Sequence, residues 1–314
     1  YEVNDPTILA EIDYRIYYSE NDAGNNQLDN PIIILDGFDP GDKRKIEDCD
    51  CGQDLDCAAA NKENGQFNPD LHNSMYEFQF YLDDISQNKN ALETLRREGF
   101  DVIMVNHPTY DTVDVNTGEM LTIDGGAYYI ESNAMALIKL LQETKSRMAS
   151  TGSTAQIKLV GPSMGGQISR YALAYMEAME EQTQDSDTWD HNVSHWVSID
   201  SPHLGANIPL GDQALIFLIK EMLSDDDNDA AEDFYDKQLS SPAAKQQLIE
   251  FHRQAPGQSH HHVDQNLLNA QTLLQGFSQD RGNSSFTEHY NNQAINGLPN
   301  SNGFPTKSKN LAII

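Results

Sequence analysis

The sequence is short of positive charge: 20 Lys and Arg stand against 49 Asp and Glu, a formal net charge of −29. A surface so charged repels a phosphate backbone and an anionic bilayer alike, so nucleic acid is excluded as an expected partner. Long apolar runs are lacking too. None approaches the roughly 18 residues of a spanning helix, and no membrane span is expected. Cysteine is scarce: Cys49, Cys51 and Cys57 share one acidic loop, DCDCGQDLDC, and nothing elsewhere could pair with them. One local disulfide with one spare thiol is the expectation, its pairing left open. A zinc site would want a fourth ligand, and flanking carboxylates oppose thiolate formation. The chain opens on Tyr1, and no basic segment followed by an apolar one precedes the first strand, as in a processed or excised chain. Self-repulsion on this scale suits a saline exterior that screens it, so a secreted, extracellular location is expected. The sequons at Asn192 and Asn283 would matter only in a eukaryotic secretory pathway.

With 314 residues, of which 38% are hydrophobic, the chain can bury one large α/β domain with an elaborated insertion. Ile12 to Tyr18 alternates as a half-buried strand, whereas Pro31 to Leu35 runs apolar without interruption, as a strand covered on both faces does. A helical pattern from Ser74 to Glu98 closes at Gly99, and Phe100 to Val105 is another short apolar strand. Helical spacing over Tyr129 to Met148 is followed by strand Gln156 to Val160, helix Gln167 to Glu181 and strand Val193 to Ile199. Such alternation predicts a doubly wound, mostly parallel sheet. The expected division is a core over 1–207, an insertion or lid-like subdomain over 208–308, and a returning core strand over 309–314. Helix Asp212 to Leu223 carries more apolar residues than one core-facing stripe requires. It would suit a lid over an apolar pocket, but burial between the sheet and the rest of the insertion is the expectation.

The chemistry centres on Gly161-Pro162-Ser163-Met164-Gly165. A nucleophilic serine needs its Oγ held out of the sheet on a turn too tight for flanking side chains, and glycines two before and two after supply that room. Here the pentapeptide joins a predicted strand to a predicted helix, the context in which the pattern carries weight. The backbone N–H of Met164, at the helix N-terminus, would be one oxyanion donor. The second is expected from the loop Asp36-Gly37-Phe38-Asp39-Pro40-Gly41, with Phe38 as candidate and Gly37 as alternative.

Three segments, PIIILDGFDPGD, KLVGPSMGGQISRYALAYME and VSIDSPHLGAN, resemble the α/β-hydrolase lipases and esterases of secreted bacterial type. The likeness covers roughly residues 31 to 207. It departs from the family where Asp36 stands for a common histidine and where Pro162 does the same. The resemblance implies a serine esterase or lipase working through an acyl-enzyme on Ser163, without a cofactor, on a small-molecule or lipid ester. It also implies a Ser, acid, His order along the chain. Asp200, at the end of the strand after the elbow unit, is the candidate acid. His203 or His289 is the candidate base, with His252 and the run His260 to His262 as further histidines of the insertion. By strand count the family's histidine loop would follow Ile314, so the chain is expected to be truncated there, with a further C-terminal domain open, or to take its base from elsewhere. A hydrolase-like binding domain and an acyltransferase are the alternative functions. The acidic positions Asp225, Asp227, Asp229, Asp233 and Asp236 approach calcium-loop spacing, but Ala230 replaces the needed glycine and Asp236 the long bidentate Glu. No metal site is expected.

Overall fold

A computed structural model describes residues 9–22, 26–46, 62–63, 66–67, 75, 91–222, 229–252, 284–292, 297–298, 301 and 303–314. The cysteine loop, the run His260 to His262 and Asn283 lie outside the described residues, as does most of the helix expected from Ser74.

The sheet has six strands: β1 (Asp13–Tyr17), β2 (Pro31–Leu35), β3 (Asp101–Asn106), β6 (Ile157–Pro162), β7 (Val193–Ile199) and β8 (Lys309–Ile313). Their order across it is β1-β3-β2-β6-β7-β8, with only β1 antiparallel. β2 and β3 are buried nearly throughout, as their uninterrupted apolar runs require of strands covered on both faces. Helices α1 (Ala91–Arg97), α2 (Ile130–Thr151) and α3 (Met164–Thr183) make the crossovers, and a short helix α4 (Ser186–Trp189) follows α3. α2 buries Ala134, Leu137, Ile138 and Leu141, and α3 buries Ile168, Tyr171, Ala172 and Leu173, so the two share one core with Ile33, Ile103 and Leu159 of the sheet.

The order gives the sheet a switch point. From β2 the chain moves outward to β3, then returns to place β6 on the other side of β2. Loops leaving β2 and β6 therefore diverge and open a crevice at the carboxyl ends of these strands, where ligands of open α/β sheets bind. Asp36 to Asp39 and Ser163 stand at that crevice.

Sequence reasoning missed a hairpin, β4 (Thr109–Val113) with β5 (Met120–Asp124). Its signal was present: strand-forming Thr109-Tyr110-Asp111-Thr112-Val113 and Met120-Leu121-Thr122-Ile123 on either side of Asp114 to Glu119, with Gly118 at φ 74° in the turn. The hairpin braces the loop after β2, since Asp124 Oδ2 accepts from the Gly41 N–H at 2.7 Å and Gly126 O from the Asp39 N–H at 3.0 Å.

Between β7 and β8 the described residues contain α5 (Leu210–Met222), a short helix at Asp229–Asp233, a π-helical turn at Phe234–Leu239 and α6 (Pro242–Gln247). Tyr235, Leu239, Leu248 and Phe251 form a separate small core against Phe217. The expected burial of the first helix is corrected here. Of α5 only Gln213 is buried, while Leu215, Leu218, Ile219 and Met222 are exposed. The inward face is instead that of Gln213, Ile216 and Phe217, where Gln213 Nε2 donates to Ile208 O at 2.7 Å and Glu250 O at 3.0 Å.

Candidate active site

β6 ends and α3 begins at Ser163, which adopts φ 50° and ψ −125°. That is left-handed territory a β-carbon enters only at a cost of about 1–3 kcal/mol, sustained by surrounding structure that leaves no alternative. The constraint is visible. A Cβ at Gly161 would stand 2.4 Å from Gly165 O, and one at Gly165 would stand 2.5 Å from Asp36 O, so neither position admits a side chain. The Ser163 N–H donates to Ile199 O at 2.8 Å, which ties the turn to the end of β7.

The loop after β2 approaches the serine closely, for a Cβ at Gly37 would lie 3.1 Å from Ser163 Cβ. Its amides are unevenly engaged. Gly37 N–H donates to Asp36 Oδ1 at 2.7 Å and Asp39 N–H to Gly126 O at 3.0 Å. Phe38 N–H lies between them with no acceptor among the described residues. Met164 N–H, in the first turn of α3, is free of side-chain capping. Two amides from different elements, those of Phe38 and Met164, thus stand near the serine without a side-chain acceptor among the described residues.

The loop is charged. Asp36 is buried, and burial raises its carboxyl to about 6, against the pull of Arg44, whose Nε is 3.1 Å and 3.2 Å from its two oxygens. Arg44 also donates to Phe38 O at 2.9 Å, which holds that peptide in place.

Ser163 opens on a cavity of about 390 Å³. Phe38, Asp200, Ser201 and Pro202 line it from the core side, and Phe234, Leu239, Ala244 and Leu248 from the insertion. Apart from Asp200, Gln238 and Gln247 the wall is apolar or hydroxylic. Asp200, exposed at φ 45°, donates its N–H to Ile313 O at 2.7 Å and borders the same cavity as Ser163.

The histidines lie elsewhere. His203 Nε2 is 2.7 Å from Ser198 Oγ, and its ring packs against Trp196 and Phe304 at 5.5 and 5.8 Å. Burial, with the Arg170 charge adding to it, pushes its pKa down to about 4. Arg170, itself buried, fixes the His203 carbonyl at 3.1 Å while stacking 3.6 Å over Phe304. His252 faces Tyr235 OH at 3.3 Å within the insertion core. His289 Nδ1 is 2.7 Å from Glu131 Oε1, and its Nε2 is buried without a partner among the described residues. No imidazole among the described residues hydrogen-bonds to Ser163. The structure therefore brings Ser163, Met164, Phe38 and Asp200 together, and brings neither His203 nor His289 to the hydroxyl.

Glu131 and Gln246 were not singled out in the sequence. Gln246 donates to Glu131 Oε2 at 2.6 Å and accepts from Ile130 N–H at 2.8 Å, while its neighbour Gln247 lines the Ser163 cavity. The chain thus sets a carboxylate–imidazole pair just behind the insertion wall. Nothing local announces it, because its members lie 115 and 158 residues apart. Among the described residues no group of three or more His, Cys, Asp or Glu could hold a metal ion, and no helix is long and apolar enough to cross a membrane.

Residues 107–222, from the end of β3 through α5, match a family described as "putative serine esterase". No curated protein sequence matches the chain. Among solved structures, a bromoperoxidase from Bacillus anthracis is 13% identical with TM-score 0.34, covering 97% of this chain and 87% of that one. Esterase B from Lactobacillus rhamnosis is 11% identical with TM-score 0.30, covering 98% and 78%. Est1E from Butyrivibrio proteoclasticus, solved with ferulic acid, is 12% identical with TM-score 0.27, covering 63% of this chain and 54% of that one, so the chain spans little more than half its length. The strand order and the elbow at Ser163 are those of an α/β-hydrolase fold, and over residues 107–222 the chain is similar to the putative serine esterases.

Proposed function

We propose that the protein hydrolyses carboxylic esters through an acyl-enzyme on Ser163. The observation that carries this is the strained backbone of Ser163, held on a glycine-walled turn beside a largely apolar cavity that Phe38 also lines. A serine that merely capped α3 would need no such conformation, and Ser163 makes no side-chain cap. In the reaction, Oγ attacks the ester carbonyl carbon and its proton passes to a base. The carbonyl oxygen becomes an oxyanion facing Phe38 and Met164 N–H. Collapse expels the alcohol, which takes up the proton, and water then releases the acid by the same steps. Asp200 is the carboxylate that borders this cavity. Of the two histidines expected in that role, His289 has a carboxylate on Nδ1 and a free Nε2, whereas His203 is held through Nε2 by Ser198.

A fluorophosphonate probe tests the reading. Labelling that vanishes in Ser163→Ala supports it. Failure to label the folded wild-type chain overturns it in favour of a hydrolase-like binding domain. Acyl transfer to added alcohol in preference to water would replace the hydrolase with an acyltransferase on the same serine.

A further inference from the structure

The Phe38 N–H belongs to the peptide that joins Gly37 to Phe38, and that peptide makes no hydrogen bond among the described residues. Gly37 has no β-carbon to restrict its rotation, and a Cβ there would crowd Ser163 Cβ at 3.1 Å. The orientation of this peptide is therefore set by the peptides on either side. The one before is held where Gly37 N–H donates to Asp36 Oδ1 at 2.7 Å. The one after is held at both ends, with Asp39 N–H donating to Gly126 O at 3.0 Å and Phe38 O accepting from Arg44 Nη2 at 2.9 Å.

One guanidinium ties the two anchors together. While Nη2 meets the Phe38 carbonyl, Nε lies 3.1 Å and 3.2 Å from the two oxygens of the Asp36 carboxylate. Arg44 is in turn fixed by its own N–H, which donates to Asp39 Oδ2 at 2.7 Å. Arginine suits this place because Nε and Nη2 diverge from one rigid plane and keep their two acceptors in a fixed relation, which the single ammonium of lysine cannot do. Charge alone is a poorer account. Asp36, Asp39 and Asp42 are all buried in this loop and Lys45 pairs with Asp42, yet the guanidinium of Arg44 directs a donor to a neutral carbonyl.

We propose that Arg44 is a positioning residue for the reaction at Ser163, bridging the Asp36 carboxylate and the Phe38 carbonyl so that the peptide between them keeps its N–H on the oxyanion. This rests on the reading of Ser163 as an esterase nucleophile with Phe38 N–H as one donor, and the experiment separates the two. Wild type, Arg44→Lys and Arg44→Ala are assayed on a soluble butyrate ester and its thionoester, above the pH of about 6 at which Asp36 releases its proton. Sulfur accepts hydrogen bonds poorly, so a thionoester gains little from an oxyanion donor. Loss of a whole donor lowers kcat by about 10²–10³-fold, so a donor left unheld should cost both variants roughly tenfold on the ester, with KM little changed. The thionoester rate should fall far less. Arg44→Lys with the wild-type ester rate would overturn the proposal, leaving Arg44 as a neutralising charge. An equal fall on both substrates, or a rise in KM at constant kcat, would overturn it in favour of a general loosening of the loop. The lysine variant decides if the alanine variant does not fold. In each of these cases, Ser163-dependent labelling of wild type by a fluorophosphonate leaves the esterase reading standing, and its absence overturns that reading together with the clamp.

Discussion

The two walls of the Ser163 cavity are built by different means. On the core side, Phe38, Ser163 and Asp200 follow three neighbouring parallel strands; the N–H groups of Ser163 and Asp200 bond to the adjacent strand, and the Phe38 carbonyl to Arg44. On the insertion side, Ala244 and Leu248 belong to a short helix and its end, held to the core by Gln246 and Glu131 across 115 residues of chain. The core wall is a consequence of sheet topology, and the insertion wall is held by the Glu131–Gln246 contact together with the backbone bonds of Ala206 to Gln247 and Ile249. Substitutions in the first should therefore disturb chemistry and fold together, and those in the second should loosen the wall while leaving the elbow in place.

The largest effect is expected at Ser163. Ser163→Ala should lower ester hydrolysis by about 10³-fold or more, as loss of a nucleophile does. Because alanine gains nothing from the strained backbone, its melting temperature should stay the same or rise. A fall in melting temperature with rate retained would mean that Ser163 is structural, and the contrast between the walls would collapse.

Next comes Gly161→Ala. The added methyl meets Gly165 O and C and Gly166 N, all backbone atoms at 2.4 to 2.6 Å, which cannot yield as a side-chain tip would. A loss of about 3 kcal/mol or more in urea denaturation is expected, with activity falling alongside it. Stability equal to wild type would show that the elbow tolerates more than its geometry allows.

These two positions were legible in the sequence because the information is local. Glycines two residues either side of a serine, between an apolar strand and a helical stripe, specify the turn whatever surrounds it. Strands β2 and β3 were legible for a related reason, since uninterrupted apolar runs have few other places to go. The insertion was not legible. Leu215, Leu218, Ile219 and Met222 have the spacing of a core stripe, and only the fold shows that the stripe faces outward because Gln213 and Phe217 occupy the inner side. Likewise Glu131 reads as an ordinary acidic residue in the first turn of a helix, favourable to the helix dipole. Its partnership with His289 is set by tertiary packing alone.

Glu131→Gln tests the insertion wall. The substituted amide would keep one acceptor for His289 but lose the charge and present its NH₂ to the amide of Gln246. A buried pair broken from one side costs about 3–5 kcal/mol, and a smaller loss is expected here since the shape survives. Soluble-ester turnover should fall less than in Ser163→Ala, with KM affected more than kcat if the wall merely loosens. A kcat loss as large as that of Ser163→Ala, with KM unchanged, would instead place the Glu131–His289 pair in the chemistry.

The smallest and sharpest contrast is in pH dependence, where the two walls should have opposite signs. At Glu131 burial alone would raise the carboxyl, but the charge and hydrogen bond of His289, aided by Gln246, more than offset it and hold the group below 4.5. Its contribution is therefore present above pH 4.5 and lost as pH falls through the lower folded value. Asp36 behaves the other way. Its carboxyl is raised from 3.8 to about 6, so the folded protein keeps a proton that the unfolded chain releases. The stability from this group is full below pH 3.8 and declines as pH rises to about 6, by up to about 3 kcal/mol. Asp36→Asn retains an acceptor for Gly37 N–H but cannot ionise. Urea titrations from about pH 4 to 7 should show the variant gaining on wild type as pH rises, offset in part by the lost pairing with Arg44. Glu131→Gln should lose ground to wild type as pH rises through the folded value to 4.5 and keep a constant deficit above it. Parallel curves for the two variants would show that the walls are electrostatically alike, and the contrast between them would then rest on packing alone.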